Sequence, residues 1–220
     1  MTRRREPREL DALPYAGHLD AFDGAIEREG AYERVHFDGT VLADAQGGNC
    51  RFGESAFSSV TFEGGRFRRS RFDDVWLHSV RFVGTDLAET TWLDGECTAS
   101  VLAGVQVHAA ALHRTVFHQC KFDSVNFRGS TLKDVVFVDC LLRDVDFGGA
   151  SLTAVSFPGS TLDAARLDRA ALTRVDFSGA LALGIASGIE ALRGATISSL
   201  QMLDLAPALA RHIGLTVKDG

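Results

Sequence analysis

The sequence lacks the features that mark several common protein classes. Tyrosine, tryptophan and methionine occur twice each and proline four times among 220 residues. No apolar run approaches the roughly 20 residues of a membrane-spanning helix. Arg3, Arg4, Arg5 and Arg8 lie near the start, but no apolar stretch follows them, which argues against an export signal. We therefore expect a cytoplasmic protein without membrane contact, in which residues 1–17 form a flexible leader.

The short motifs of common catalytic sites are also absent. The sequence contains no Gly-x-Ser-x-Gly, no phosphate-binding loop and no His-Glu-x-x-His element. The formal net charge of −6 argues against direct nucleic-acid binding through a basic face. We therefore expect that the protein is not an enzyme, and that it has neither a catalytic residue nor a cofactor.

Phenylalanine, in contrast, is abundant and regularly placed. It accounts for 15 aromatic residues, against two tryptophans and two tyrosines. Every phenylalanine position leaves a remainder of two on division by five, and these positions are 22, 37, 52, 57, 62, 67, 72, 82, 117, 122, 127, 137, 147, 157 and 177. Leu, Trp, Cys or Val fills the intervening places from Phe52 to Phe177. The chain therefore follows a five-residue repeat.

A second rule accompanies the first. Two places before each large residue, from Ala25 to Ala180, only Ala, Gly, Ser, Thr, Cys or Val occurs. A period of five fits neither a helix nor a free strand. It also excludes the six-residue repeat of left-handed β-helices. One large and one small inward residue per five predict a chain that turns a corner every five residues around a narrow, filled interior.

This pattern resembles the pentapeptide-repeat family. Val-Asp-Phe-Ser-Gly at 175–179 and Ala-Ser-Leu-Thr-Ala at 150–154 are close to the family consensus. The resemblance implies an all-β, right-handed quadrilateral parallel β-helix of about eight coils, with four repeats in each coil of 20 residues. We assign this solenoid to residues 18–183. A filled interior leaves no concave pocket for a substrate.

Turn residues agree with this prediction. Gly often follows the large residue by two places, and Phe157-Pro158-Gly159 has the order favoured in a type II turn. The weakest repeat is 45–49, where Gly47 occupies a large-residue place. We expect a loosened corner there.

Residues 184–220 are predicted to form a helical cap and dimerisation segment. Ser198 to Ile213 has a helical pattern, which we expect Pro207 to divide into two helices, with Asp204 as an N-cap. Its apolar residues lie on more than one face, more than a cap requires. Helices at this place resemble the dimerisation tails of family members, so we predict a homodimer through Leu200, Leu203, Leu205, Leu209 and Ile213, with a monomeric cap as the alternative. At the other end, we expect Tyr15, His18 and Leu19 to cover the first coil.

Cysteine and histidine positions argue against a metal site. Cys50, Cys97, Cys120 and Cys140 all occupy inward places, and we expect free buried thiols. Cys120 and Cys140 are one coil apart and should be neighbours. His108, His113 and His118 fall on three different sides of the rod, so they cannot converge on a metal.

The outer surface offers one candidate binding site. Residues 20 apart stack, so Glu54, Asp74, Asp94, Arg114 and Asp134 form one column. Stacked carboxylates repel each other unless cations or a partner neutralise them, and Arg51 and Arg71 could partly compensate. We regard the four carboxylates as a candidate acidic docking column, with a solvated face as the alternative. A basic patch of Arg66, Arg68, Arg69 and Arg71 lacks interleaved aromatics and is interpreted as solubilising.

The resemblance also implies a function. The best understood members are the quinolone-resistance proteins, which are acidic dimeric rods that bind DNA gyrase or topoisomerase IV, in part by imitating duplex DNA. We therefore predict a non-enzymatic, protein-binding rod that modulates or protects a type II topoisomerase. The alternative is a general protein-interaction scaffold with an unknown partner.

Overall fold

A computed structural model describes residues 6–216 of the chain. From residue 20 onward the chain winds as a parallel β-solenoid, which confirms the predicted fold class. Most strands have three residues, because the chain turns a corner after every five. In chain order the strands are β1 (Asp20–Ala21), β2 (Ala31–Glu33), β3 (Val35–Asp38), β4 (Val41–Ala43), β5 (Arg51–Gly53), β6 (Ala56–Ser58), β7 (Thr61–Glu63), β8 (Arg71–Asp73), β9 (Trp76–His78), β10 (Arg81–Val83), β11 (Thr91–Leu93), β12 (Glu96–Thr98), β13 (Val101–Ala103), β14 (Ala111–His113), β15 (Val116–His118), β16 (Lys121–Asp123), β17 (Thr131–Lys133), β18 (Val136–Val138), β19 (Leu141–Arg143), β20 (Ser151–Thr153), β21 (Thr161–Arg166), β22 (Ala171–Thr173) and β23 (Ala182–Ser187).

The solenoid has four sides, three of which are sheets. Side 1 has the order β2-β5-β8-β11-β14-β17-β20-β22, side 2 has β1-β3-β6-β9-β12-β15-β18, and side 3 has β4-β7-β10-β13-β16-β19-β21-β23. On side 4, one residue of each coil forms an isolated parallel β-bridge with the next coil, from Gln46 through Arg66 and Asp86 to Arg166. From β2 to β22, paired residues in neighbouring coils are 20 apart, as in Phe52–Phe72. At the two ends the interval changes to 15 between β1 and β3 and mainly to 21 between β21 and β23. Between these ends, outward residues that are 20 apart in the sequence therefore lie directly above one another in the structure.

The two inward rules build the core. Thirteen phenylalanines have less than 2% of their surface exposed, and most of the small inward residues are buried beside them. Phenylalanine rings stack from coil to coil, for example Phe37 on Phe57 at 4.6 Å and Phe137 on Phe157 at 5.1 Å between centroids. These distances are close to the spacing of hydrogen-bonded strands, about 4.8 Å. The core geometry therefore follows directly from the repeat.

The corner turns lie in the left-handed backbone region, with φ values of 44° at Glu54, 49° at Asp74 and 54° at Asp94. These values are nearer the αL value of about 57° than the about 80° of a type II turn. Many non-glycine residues occupy the same place in other repeats. The turn that forms therefore depends less on glycine than the sequence predicts.

The expected loosened corner at Gly47 is not seen. A Cβ atom at Gly47 would lie 2.4 Å from the ring of Phe67, so that ring occupies the space of the missing side chain. The neighbouring Gln46–Arg66 bridge is intact, and the carbonyl of Gly47 accepts a hydrogen bond from the Ser70 hydroxyl at 2.6 Å. The next coil fills the gap.

Helix α1 (Ser199–His212) covers the end of the solenoid. It is one helix that continues through Pro207, not two, and its N-cap is Ser198 in a capping box with Gln201. The side-chain Nε2 of Gln201 donates to the carbonyls of Phe177 and Ala180, at 2.8 and 3.0 Å. These carbonyls belong to the last regular coil, so the helix closes the open strand edge there.

Residues 6–19, called the strap below, differ from the expected leader. They contain two 3-10 turns, Leu10–Ala12 and Ala16–His18, and pack across side 2 with Leu13 and Tyr15 buried. Tyr15 contacts the cluster of Ala56 and Trp76, so it does not cover the first coil. The strap stays in place here because it buries apolar side chains. Part of the predicted leader, and the end of the predicted C-terminal segment, lie outside the described residues.

Candidate protein-interaction surface

The acidic column lies along the edge between sides 1 and 2, at the turns that follow β5, β8, β11 and β17. Its carboxylates are not equivalent. Nε of Arg34, one coil earlier in the same column, lies 2.8 Å from a carboxylate oxygen of Glu54. Arg114 binds both oxygens of Asp94, at 2.6 and 2.7 Å. Two of the carboxylates are thus neutralised within the column.

Asp74 and Asp134 differ from these two carboxylates. Asp74 lies between Glu54 and Asp94, and its carboxylate has neither a hydrogen bond nor an ion pair to another described residue. Burial raises the pKa of Asp74, Arg8 opposes this shift, and Asp94 and Glu54 add to it. In contrast, the hydrogen bond from Arg114 lowers the pKa of Asp94. A cationic partner would therefore stabilise the charged form of Asp74.

The compensating arginines differ from those expected. Arg71 binds Asp73 of its own strand at 3.0 Å, and the ion pairs of Glu54 and Asp94 come from Arg34 and Arg114. Asp134 is exposed at the far end of the column. The sequence shows Arg34 at the right interval, 20 residues before Glu54, so this partner could have been found.

Most of the basic patch is also neutralised. Arg68 lies 3.3 Å from Asp86 and 3.8 Å from Glu89, and Arg69 lies 3.0 Å from Glu89. Because these arginines are engaged by carboxylates on side 4, the patch does not form a continuous positive surface.

Core thiols and histidines follow the predicted placement. All four cysteines are buried and free, and the amide of Cys120 lies 3.4 Å from Sγ of Cys140. Cys97 is a further neighbour, since its Sγ is 3.8 Å from that of Cys120. Burial raises the pKa of the Cys120 thiol well above its usual value. Within residues 6–216, no three His, Cys, Asp or Glu side chains are arranged to hold a metal ion.

The C-terminal helix exposes part of its apolar surface. Leu200, Leu203 and Ile213 have exposed fractions of 75%, 69% and 69%. Leu205 is buried against the solenoid and Leu209 packs partly on it. The predicted interface residues therefore divide into two groups, and the expectation that Leu205 is available to a second copy is wrong. No helix in the described part of the chain is long and apolar enough to span a membrane.

Comparison with protein families gives the same result as the geometry. The model named Pentapeptide repeat region matches residues 98–167, and the model named Pentapeptide repeats (9 copies) matches 32–81 and 48–91. Together they span more than half of the sequence. The chain belongs to the pentapeptide-repeat family. No curated protein matches it.

Several solved pentapeptide-repeat structures are similar to this pentapeptide-repeat protein. HetL, involved in heterocyst differentiation regulation in the cyanobacterium Nostoc sp. strain PCC 7120, is 16% identical, with 80% of this chain and 93% of HetL covered and a TM-score of 0.35. Full-length QnrB1, a plasmid-mediated fluoroquinolone resistance protein, is 15% identical, with 84% and 100% covered and a TM-score of 0.32. Rfr23, from the cyanobacterium Cyanothece 51142, is 12% identical, with 61% and 89% covered and a TM-score of 0.18. The family assignment depends on the repeat models.

Proposed function

We propose that this protein is a non-enzymatic rod that binds a type II topoisomerase, DNA gyrase or topoisomerase IV, through the acidic column. The observation that carries the proposal is the regular 20-residue register, which aligns Glu54, Asp74, Asp94 and Asp134 along one rigid edge. The resemblance noted in the sequence supplies the partner class. The register supplies the surface, because it places the carboxylates of the column in one line in the folded chain.

Charge limits how closely this surface imitates DNA. Residues 20–182 contain 23 acidic and 16 basic side chains, a net charge of −7. Duplex DNA about as long as eight coils, roughly 38 Å, carries about 22 charges. The ion pairs of Glu54 and Asp94 reduce the column's charge further. Binding would therefore depend on shape and on Asp74 and Asp134.

The same ion pairs favour a second candidate function, a scaffold whose protein partner has its own alternating charge pattern. The coils also keep an uninterrupted five-residue phase from Phe52 to Phe177, without the inserted loops that some gyrase-protecting relatives use. Capture experiments in the native cell separate the two functions, since topoisomerase subunits among the captured proteins support the first.

A supercoiling assay with DNA gyrase, with and without a quinolone, tests the topoisomerase proposal. We expect the purified protein to inhibit or protect gyrase at micromolar concentration. Replacing the column by Glu54→Gln, Asp74→Asn, Asp94→Asn and Asp134→Asn should abolish this effect. The matched control removes four exposed carboxylates from side 3 or its edge by Asp44→Asn, Glu63→Gln, Asp123→Asn and Asp163→Asn. No effect of the native protein, or equal loss in both variants, would contradict the proposal.

We also propose a homodimer through the exposed part of the C-terminal segment, and a division into a solenoid at 18–183 and a helical segment at 184–220. Leu200, Leu203 and Ile213 support the interface because they are exposed on the capping helix. Their burial in a second copy would follow the usual twofold arrangement of homodimers.

A further inference from the structure

The strap is held on side 2 like a bound peptide. Its apolar residues Leu13 and Tyr15 pack on Ala56 and Trp76. The indole Nε1 of Trp76 donates to the carbonyl of Arg8 at 3.0 Å. Arg8 then makes two hydrogen bonds to one carboxylate, from its backbone nitrogen to Glu96 Oε1 at 2.6 Å and from its Nε to Oε2 at 2.7 Å. Apolar contacts at one end and a charged clamp at the other hold the segment.

The surface below the strap departs from the rest of the repeat. Trp76 occupies an outward place, yet only 3% of its surface is exposed, and Glu96 is buried to 8% exposure. A large apolar residue and a carboxylate that both need a cover are unusual at outward positions, where side chains normally meet water. These two residues form a groove that suits a segment with a cation and apolar groups.

The fit of the strap to this groove is incomplete. The hydroxyl group of Tyr15 is buried and has no hydrogen-bond partner among the described residues. A buried hydroxyl without a partner is unfavourable, because it loses its bonds to water. The strap therefore leaves one of its own polar groups unsatisfied in the groove. A partner segment with an apolar side chain at the place of Tyr15 would avoid this cost and could replace the strap.

We propose that side 2 from Ala56 to Glu96 is a docking groove for a short peptide segment of a partner protein, and that the strap occupies this groove in cis. The segment that fits has an arginine followed five and seven residues later by large apolar or aromatic residues, as Arg8, Leu13 and Tyr15 are spaced. The groove adjoins the acidic column, since Asp74 precedes Trp76 by two residues and Asp94 precedes Glu96 by two. This proposal deepens the proposed function by naming the kind of segment the partner offers.

The two tryptophans allow a direct test in the full chain. Trp92 lies in the core, stacked on Phe72 at 4.0 Å, and Trp92→Phe leaves Trp76 as the sole fluorescent reporter. In this background, the combined change Arg8→Ala, Leu13→Ala and Tyr15→Ala should release the strap. We expect acrylamide quenching of Trp76 to increase several-fold, with the β-sheet circular dichroism unchanged. Arg34→Ala, which removes an ion-paired arginine elsewhere, is the control and should leave quenching unchanged.

The probe for the vacated groove is a synthetic peptide with the sequence of residues 6–19. It should bind the strap-released variant and restore protection of Trp76, whereas a scrambled peptide should not. The chain with its native strap should bind the same peptide at least about tenfold more weakly, because few molecules have an open groove.

Two results would overturn the proposal. One is unchanged quenching in the strap-released variant, and the other is equal binding of the native and scrambled peptides. Neither measurement contains a topoisomerase, so failure here is distinguishable from failure in the supercoiling assay.

Discussion

At the scale of single residues, stacked phenylalanines fill much of the core. Phe137 lies between Phe117 and Phe157, at 5.1 Å from each ring, and is fully buried. We expect Phe137→Ala to lower the free energy of unfolding by about 3–5 kcal/mol, because it removes two stacking contacts and leaves a cavity. Urea denaturation measures the change. Leu181→Ala, at a residue that is 78% exposed, should change stability by at most about 0.5 kcal/mol; a similar loss in both would contradict the explanation.

Neighbouring carboxylates of the acidic column should respond in opposite ways to neutralisation. The raised pKa of Asp74 means that its charged form is disfavoured in the folded protein, so Asp74→Asn should increase stability at pH 7. The gain should vanish as the pH falls below the usual aspartate range, where Asp74 is protonated in both states. Asp94 has a lowered pKa, so Asp94→Asn should decrease stability at pH 7 and lose its effect as the pH falls through that lowered pKa.

Both of these effects should be small, at most about 1 kcal/mol, because the groups are partly exposed. Thermal unfolding at pH 7 and pH 3 compares them. Equal signs for Asp74→Asn and Asp94→Asn at pH 7 would show that the column does not divide into paired and unpaired carboxylates.

The sequence predicts residue placement well wherever the five-residue rule applies. The inward positions of the phenylalanines and of the four cysteines, and the placement of the histidines, follow from phase alone. Trp76, Arg8 and Glu96 could not be connected in this way, because their contacts cross coils and join residues up to 88 positions apart. The weak repeat at Gly47 predicts a loosened corner that does not form, because Phe67 of the next coil fills the space of the missing side chain.

At the scale of secondary-structure elements, the capping box determines where helix α1 begins. The Ser198 hydroxyl accepts from the amide nitrogen of Gln201, and the Gln201 side chain accepts from the backbone of Ser198. Ser198→Ala should lower stability by about 1 kcal/mol, since the first turn loses an acceptor for its free amide. Chemical denaturation of the full chain measures this loss. Ser151→Ala, at an exposed serine of β20 whose hydroxyl has no hydrogen bond to another described residue, is the control; equal effects would contradict a role for the cap.

Helix α1 also shows where sequence patterns are insufficient. Pro207 predicts a break because it lacks an amide hydrogen and crowds the preceding turn. The helix nevertheless continues, with Leu205 and Leu209 packed against the solenoid on either side of Pro207. Tertiary packing outweighs the local preference, and the N-cap lies at Ser198 instead of Asp204.

At the scale of the whole molecule, assembly depends on the leucines that the capping helix leaves exposed. We expect light scattering to give a mass twice the 23.7 kDa of one chain. Leu200→Glu combined with Leu203→Glu should give a monomer, because charges in a twofold interface would face each other. Val41→Glu, at a residue with 63% exposure near the opposite end, should remain dimeric. A native monomer would contradict the proposed dimer.

The long reach of the strap has a consequence for how the solenoid comes apart. Each coil of a repeat protein normally touches only the next, so coils can be lost one at a time from an end. Here the Arg8–Glu96 clamp, together with the packing on Trp76, joins the first coils to one another. The coils up to Glu96 should therefore exchange their amide hydrogens as a single cooperative block. The coils that follow Glu96 lie beyond the clamp and should exchange independently of this block.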